Sequence, residues 1–185
     1  MFFTENLHQH LAYIVGIDGN VGRACAEAMR AEGWLVVGLA DNEDLPAWPG
    51  AIVVDAGWPG EQGYTPETWL NYSHAVARAL RVMRQAEELG YAAALFCSSP
   101  WTMFRTNAYS DSKRLIEHMA EVQNRHGKCR AIIDYVGMQT WEDTWGDSRG
   151  KVSRFEESVR QRPGELGERV IAAILHAIEE TDAGR

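Results

Sequence analysis

The feature that most constrains this chain is Gly16-Ile-Asp-Gly19-Asn-Val-Gly22, three glycines each separated by two residues. An apolar run, Leu11 to Val15, leads straight into it, and Val21, Ala24, Cys25, Ala28 and Met29 continue at helical spacing to Glu32. Gly33 ends that helix, and Trp34 to Leu39 reads as a second strand closing on Asp41, nineteen residues beyond Gly22. Strand, glycine loop, helix and strand make a βαβ unit, whose two strands run parallel. Glycines let the backbone approach a pyrophosphate, and the helix start offers free N–H groups and the positive end of its dipole. An acid at the tip of the second strand accepts both hydroxyls of an adenosine ribose and repels a 2′-phosphate, which favours NAD over NADP. Gly16, Asp18, Gly19, Asn20, Val21, Gly22, Asp41 and Asn42 are the nucleotide-binding candidates. Asp18 is the discordant member, a carboxylate in a phosphate-binding loop. The plainer alternative is a turn that needs glycine only for tight packing.

The rest of the chain repeats the alternation. Asn42 to Gly50 is short and turn-rich, Ala51 to Asp55 is a third strand, and Pro66 to Leu89 a long helix started by Thr65-Pro66 and stopped by Gly90. Its apolar stripe reads as Leu70, Ala77, Leu80 and Met83, which leaves Arg78, Arg81 and Arg84 outside. Ala92 to Cys97 is a strand, about Ala108 to Glu121 a helix with Leu115, Ile116 and Met119 inward, and Arg130 to Val136 another strand. Val152 to Glu180 reads as helix broken at Arg162-Pro163-Gly164, its second half apolar along Val170, Ile171, Ile174, Leu175 and Ile178. The prediction is one α/β domain over 1–185, a three-layer Rossmann-like parallel sheet with helices on both faces and a reduced number of strands.

Charge narrows the partners. Eighteen basic against 26 acidic residues give −8, which argues against a nucleic-acid surface. The first sixteen residues lack the basic start and unbroken apolar run of a signal peptide, and no segment is long enough for a membrane span. Cys25, Cys97 and Cys129 are odd in number and widely spaced, which fits a reducing cytoplasm better than a disulfide framework or a zinc ribbon. His8-x-His10 reads as an exposed terminal pair, and no metal is expected.

Tyr109 and Lys113, four residues apart, share one face of the helix that starts near Ala108. A fixed ammonium beside a phenol favours tyrosinate, and a serine at a neighbouring strand end could hold the same substrate oxygen. Such a trio suits carbonyl/alcohol interconversion. Trp101, Met103, Phe104, Met138, Trp141 and Trp145 flank it, either as a pocket wall or as a subunit contact. His74 and His118 read as ordinary helix residues.

Taken in order, Gly16-x-x-Gly19-x-x-Gly22, Asp41, Ala56-Gly57, Asn71, Ser98-Ser99, Tyr109-x-x-x-Lys113 and Val136-Gly137-x-x-Thr140 resemble the short-chain dehydrogenase/reductase superfamily, especially its epimerase/dehydratase branch. The resemblance implies that Ala56, Gly57, Val136 and Thr140 line the cofactor. It implies Tyr109 as general acid/base, Lys113 beside the nicotinamide ribose, Ser99 (with Ser98 in reserve) orienting the substrate oxygen, and Asn71 supporting a proton relay. It also implies a homodimer or homotetramer through the two long helices.

Two departures stand out. The family usually places a further strand and helix where only Asn42 to Gly50 stands, and epimerase-type members carry a longer C-terminal substrate region. Three functions are therefore expected, in order: an NAD(H)-dependent oxidoreductase for a small carbonyl or alcohol, an NAD-dependent sugar-nucleotide epimerase or dehydratase, and a non-catalytic nucleotide-sensing or structural module.

Overall fold

The computed structural model describes residues 11–59, 65–103, 107–136, 138–139, 160–161 and 163–183. In chain order the elements are β1 (Leu11–Val15), α1 (Asn20–Ala31), β2 (Leu35–Leu39), β3 (Ile52–Asp55), α2 (Pro66–Glu88), β4 (Ala93–Ser98), a short 3-10 helix (Pro100–Met103), α3 (Ala108–His126), β5 (Arg130–Tyr135), β6 (Met138–Gln139), β7 (Arg160–Gln161) and α4 (Pro163–Ala183). Strands β2-β1-β3-β4-β5 form one parallel sheet, and β6 pairs with β7 separately.

Strand periodicity of two sorts the core into two halves. Leu11, Tyr13 and Val15 of β1 face α2 and α3, meeting Ala79, Val82, Met83, Ala86, Ile116 and Ala120. Ala12 and Ile14 face α1 and α4, meeting Ala24, Cys25, Met29, Val170 and Ile174. Both faces of the central strands β1, β3 and β4 are covered, which is why these are continuous apolar runs, while edge strand β2 is largely exposed. This is the expected three-layer α/β arrangement.

Strand β1 has β2 on one side and β3 on the other, so the strand order reverses there. A crevice opens at the C-terminal strand ends at such a switch point. The glycine loop and the Ala56-Gly57 segment both lie at this edge, where Ala56 N donates to the Val15 carbonyl at 3.0 Å.

The missing strand and helix are replaced by a loop bolted to α2. Arg81 Nη2 donates to the Asp41 carbonyl at 2.6 Å and to the Glu43 carbonyl at 3.1 Å, and Gln85 Nε2 donates to Asp44 at 2.6 Å. Tyr91 Oη donates to the Pro46 carbonyl at 2.8 Å, and Leu45 is buried.

Three sequence expectations need correction. The buried face of α2 is Thr68, Tyr72, Ala75, Arg78, Ala79, Val82, Met83 and Ala86, while Leu70 is 54% exposed and Ala77 is exposed. Close approach to the sheet selects small side chains, so alanines marked the inward face better than leucine did. Leu115 of α3 likewise faces outward. Arg160–Gln161 is a strand rather than helix, and α4 begins at Pro163, a residue that suits a first helical turn and not an interior.

Candidate functional site

The glycine loop is built by exclusion of side chains. Gly16 has φ +76°, and a Cβ there would stand 2.6 Å from Gly57 N. A Cβ on Gly22 would stand 2.8 Å from Ile17 Cα. The first glycine therefore permits the turn and its packing on Gly57, and the third lets α1 press against the loop. Gly19 is the N-cap of α1, with no side-chain cap and no acid in the first turn. That end of the helix thus keeps backbone donors for an anion.

Behind the loop lies a charged floor. Arg78 is buried, with its side chain 7% exposed, and donates through Nη2 to Asp55 Oδ1 at 2.9 Å and through Nε to Asp55 Oδ2 at 3.4 Å. Its remaining arm, Nη1, reaches Asp41 Oδ2 at 3.1 Å, and the Asp41 side chain is 69% exposed. Burial raises the Asp55 pKa, and the Arg78 guanidinium opposes that rise.

A cavity of about 580 Å³ opens over this floor. Gly16, Gly19, Asp41, Asn42, Ala56, Gly57 and Asn71 are among the residues that line it, together with Trp58, His74 and Arg78. Seven predicted site residues from four separate chain segments thus meet at one opening.

The others are placed as follows. Asp18 is exposed and absent from the lining. Asn20 accepts from Arg23 Nη2 at 3.1 Å, Val21 packs on the core beside α1 and α4, and Gly22 is buried. Val136 is buried, its N–H donating to the Ser98 carbonyl at 3.1 Å. Thr140 lies outside the described residues, as do His8, His10, Phe104, Trp141 and Trp145. Trp101 and Met103 sit on the 3-10 helix, and Met103 stands out in solvent.

Ser99, Tyr109 and Lys113 are not among the residues that line the cavity. Ser99 is buried, and its Oγ accepts from Trp101 N at 3.3 Å, a bond that leaves its own proton uncommitted. Ser98 instead donates to Glu117. Asn107 caps α3 by accepting from Ser110 N at 2.8 Å, setting Tyr109 in the first turn. The Tyr109 ring packs edge-on against Tyr72 of α2, centroids 6.0 Å apart. Lys113 Nζ lies 5.9 Å from the Tyr109 ring and donates to the Cys97 carbonyl. It also sits 3.9 Å from the centroid of the Trp58 ring, so Trp58 touches both the cavity and Lys113. Burial pulls the Lys113 pKa down to about 7; Arg78 acts the same way, and Cys97, Asp55 and Glu117 act against it.

This architecture recurs among solved structures. A short-chain dehydrogenase/reductase superfamily protein from Agrobacterium tumefaciens with bound NAD aligns at TM-score 0.58 and 19% identity, over 71% of this chain and 50% of that one. The fold is the one this superfamily protein has. A GDP-6-OMe-4-keto-L-xylo-heptose reductase from C. jejuni aligns at TM-score 0.69 and 12% identity, over 91% of this chain and 73% of that one. A UDP-N-acetylglucosamine 4-epimerase from Bacillus cereus aligns at 0.66 and 12%, over 91% and 74%. The chain spans half the length of the A. tumefaciens protein. No protein-family model matches the chain, and no curated protein matches it in sequence.

Sequence reasoning did not single out Trp58, His74, Ala75 and Arg78 of the cavity lining, nor Glu117 beside Ser98. Arg78, placed outside the apolar stripe, is in the floor, and His74 lines the cavity. Asn71, His74, Ala75 and Arg78 recur at the spacing of one helical face, which was the signal available. Trp58 directly follows Gly57. Glu117 stands one turn beyond Lys113 on the same face, where Ser98 donates to it.

Proposed function

We propose that this chain is a nicotinamide-dinucleotide-dependent oxidoreductase of the short-chain type, using NAD(H) and acting on a small carbonyl or alcohol. The observation that carries this reading is the single cavity shared by Gly16, Gly19, Asp41, Asn42, Ala56, Gly57 and Asn71 at the switch point of the sheet. Its residues fit such a cofactor. The loop excludes side chains where a diphosphate must approach, the α1 start is uncapped, and Asp41 is an exposed acceptor at the ribose end.

When bound, the dinucleotide supplies or takes up the hydride. The protein's share is the proton. Tyr109 Oη gives it to the carbonyl oxygen during reduction and removes it from the alcohol during oxidation, while the Ser99 hydroxyl donates a hydrogen bond to the same oxygen. In its protonated form Lys113 places positive charge beside the phenol, and Asn71, on the neighbouring helix, orders the path by which the proton is replaced. Ser99 and Lys113 are buried and Tyr109 is half-buried, which strengthens the interactions made by these three.

A second reading, sugar-nucleotide epimerisation or dehydration, is supported by the reductase and epimerase named above, whose names carry nucleotide-linked sugars. Exposed Leu70 on α2 and Leu115 on α3 support pairing of two copies through these helices. Light scattering giving a monomer at micromolar concentration sinks that pairing. Three buried free cysteines support a reducing cytoplasmic compartment. Among the described residues no helix is long and apolar enough to cross a membrane.

Calorimetric titration with NADH and NADPH tests the cofactor reading. Turnover across small aldehydes, ketones and alcohols, then across sugar nucleotides, separates the two enzymatic readings. Binding without turnover on either panel replaces them with a nucleotide sensor, and failure to bind either nucleotide removes all three.

A further inference from the structure

The ribose end of the cavity holds a feature that the strand-tip acid alone does not explain. Asp41 is not a bare carboxylate: Oδ2 accepts from Arg78 Nη1 at 3.1 Å. The other two guanidinium contacts go to Asp55, whose side chain is 1% exposed, so the arginine is anchored from below and cannot swing out. Its planar fork makes this triple contact possible; an ammonium could not span both carboxylates in the same way. Arg78 itself lines the cavity. A cation therefore stands fixed in the cavity beside Asp41, where the dinucleotide reading puts the adenosine ribose, with Asp41 occupying its outward arm.

We propose that Arg78 is a specificity-determining residue of this site, a latent acceptor for a ribose 2′-phosphate that the Asp41 carboxylate holds closed. This rests on the dinucleotide reading above and deepens it. With Asp41 in place, Oδ2 is fixed by Arg78 and Oδ1 is left to accept from the ribose hydroxyls. Selection against a 2′-phosphate then comes from the pair, because the phosphate must both face Asp41 and displace it from Arg78. If Asp41 loses its charge, the Nη1 donor is released and a phosphate takes its place, since charge-assisted bonds from arginine to phosphate are among the strong ones.

The test measures dissociation constants of NADH and NADPH, by calorimetry at fixed ionic strength, for the wild-type chain, Asp41→Asn, Arg78→Lys and the double variant. Asp41 is exposed, so Asp41→Asn folds; Arg78→Lys retains a cation beside buried Asp55 and is chosen over Arg78→Met for that reason. Circular dichroism melts verify the fold of each. The expected result is an NADPH gain on the order of tenfold or more in Asp41→Asn. In the double variant most of that gain disappears, because lysine cannot bridge from Asp55 to the phosphate. A gain of equal size with and without Arg78 overturns the proposal and leaves the dinucleotide reading intact, Asp41 then acting by simple repulsion. Wild-type protein that binds neither nucleotide overturns both. A structural role of Arg78 in folding alone would weaken NADH and NADPH in parallel and leave their ratio unchanged, which also overturns it.

Discussion

The ammonium of Lys113 lies 3.9 Å from the centroid of the Trp58 indole, and that indole forms part of the cavity wall at the sheet's switch point. A cation over an aromatic face is attracted by the ring's negative quadrupole, more so when water is excluded. The contact joins two distant regions of the chain: the strand-tip segment after β3, and the helix bearing Tyr109.

Trp58 should therefore report occupancy of the cavity. NADH is expected to quench tryptophan emission on titration, and Trp58→Phe is expected to lose most of that quenching while Trp69→Phe, on the exposed side of α2, keeps it. Quenching that survives Trp58→Phe unchanged would place the nucleotide elsewhere.

Lys113 should write a pH dependence into stability. Its folded pKa is lowered from 10.5 to about 7, chiefly by burial. Between these values the unfolded chain binds the proton and the folded chain does not, so stability rises with pH across about 7 to 10, by at most ~1.4 kcal/mol per unit. Below pH 7 both states are protonated and the full cost of the buried charge remains. Urea melts of wild type and Lys113→Met should show a difference that narrows or changes sign through this window. A difference independent of pH would mean that Lys113 keeps its proton when folded.

Tyr109→Phe should leave NADH affinity within about threefold of wild type and lower turnover by about 10²–10⁴, the usual worth of a positioned proton donor. The Tyr109 ring rests on Tyr72 through its edge, a contact that phenylalanine retains. Turnover unaffected by the substitution would remove the phenol from the chemistry.

Gly16→Ala should hurt twice. The new Cβ meets Gly57 backbone and sits on a residue with φ +76°, so a loss of about 1–3 kcal/mol is expected in urea denaturation. Nucleotide affinity should fall too, because the Gly57 segment must move away from the loop. Gly33→Ala is a useful contrast: it shares the positive φ, but a Cβ there meets nothing within 4 Å, so it should cost stability and spare binding. Equal effects on binding from both would show that the Gly16–Gly57 contact has no special place in the site.

Much of the architecture could be read from local order. The run Leu11 to Val15, the glycine loop, the α1 periodicity and Asp41 lie within about thirty residues, and steric rules acting over that distance dictate a βαβ unit and its handedness. The alternation of later strands and helices extended this to a parallel sheet. Tyr109 and Lys113 were legible because i,i+4 spacing alone puts them on one face.

What the chain order could not reveal was which polar groups would be buried together. Arg78 fell outside the apolar stripe read from the sequence; only the approach of α2 to the tips of β2 and β3 brings Asp41 and Asp55 to its guanidinium. Trp58 meets Lys113 across a separation of 55 positions, and Glu117 meets Ser98 across 19. Periodicity records which face of an element turns inward. It carries no record of which charges on different elements will share one low-dielectric space, since that depends on strand order and helix approach, and those are set by the packing of the whole sheet.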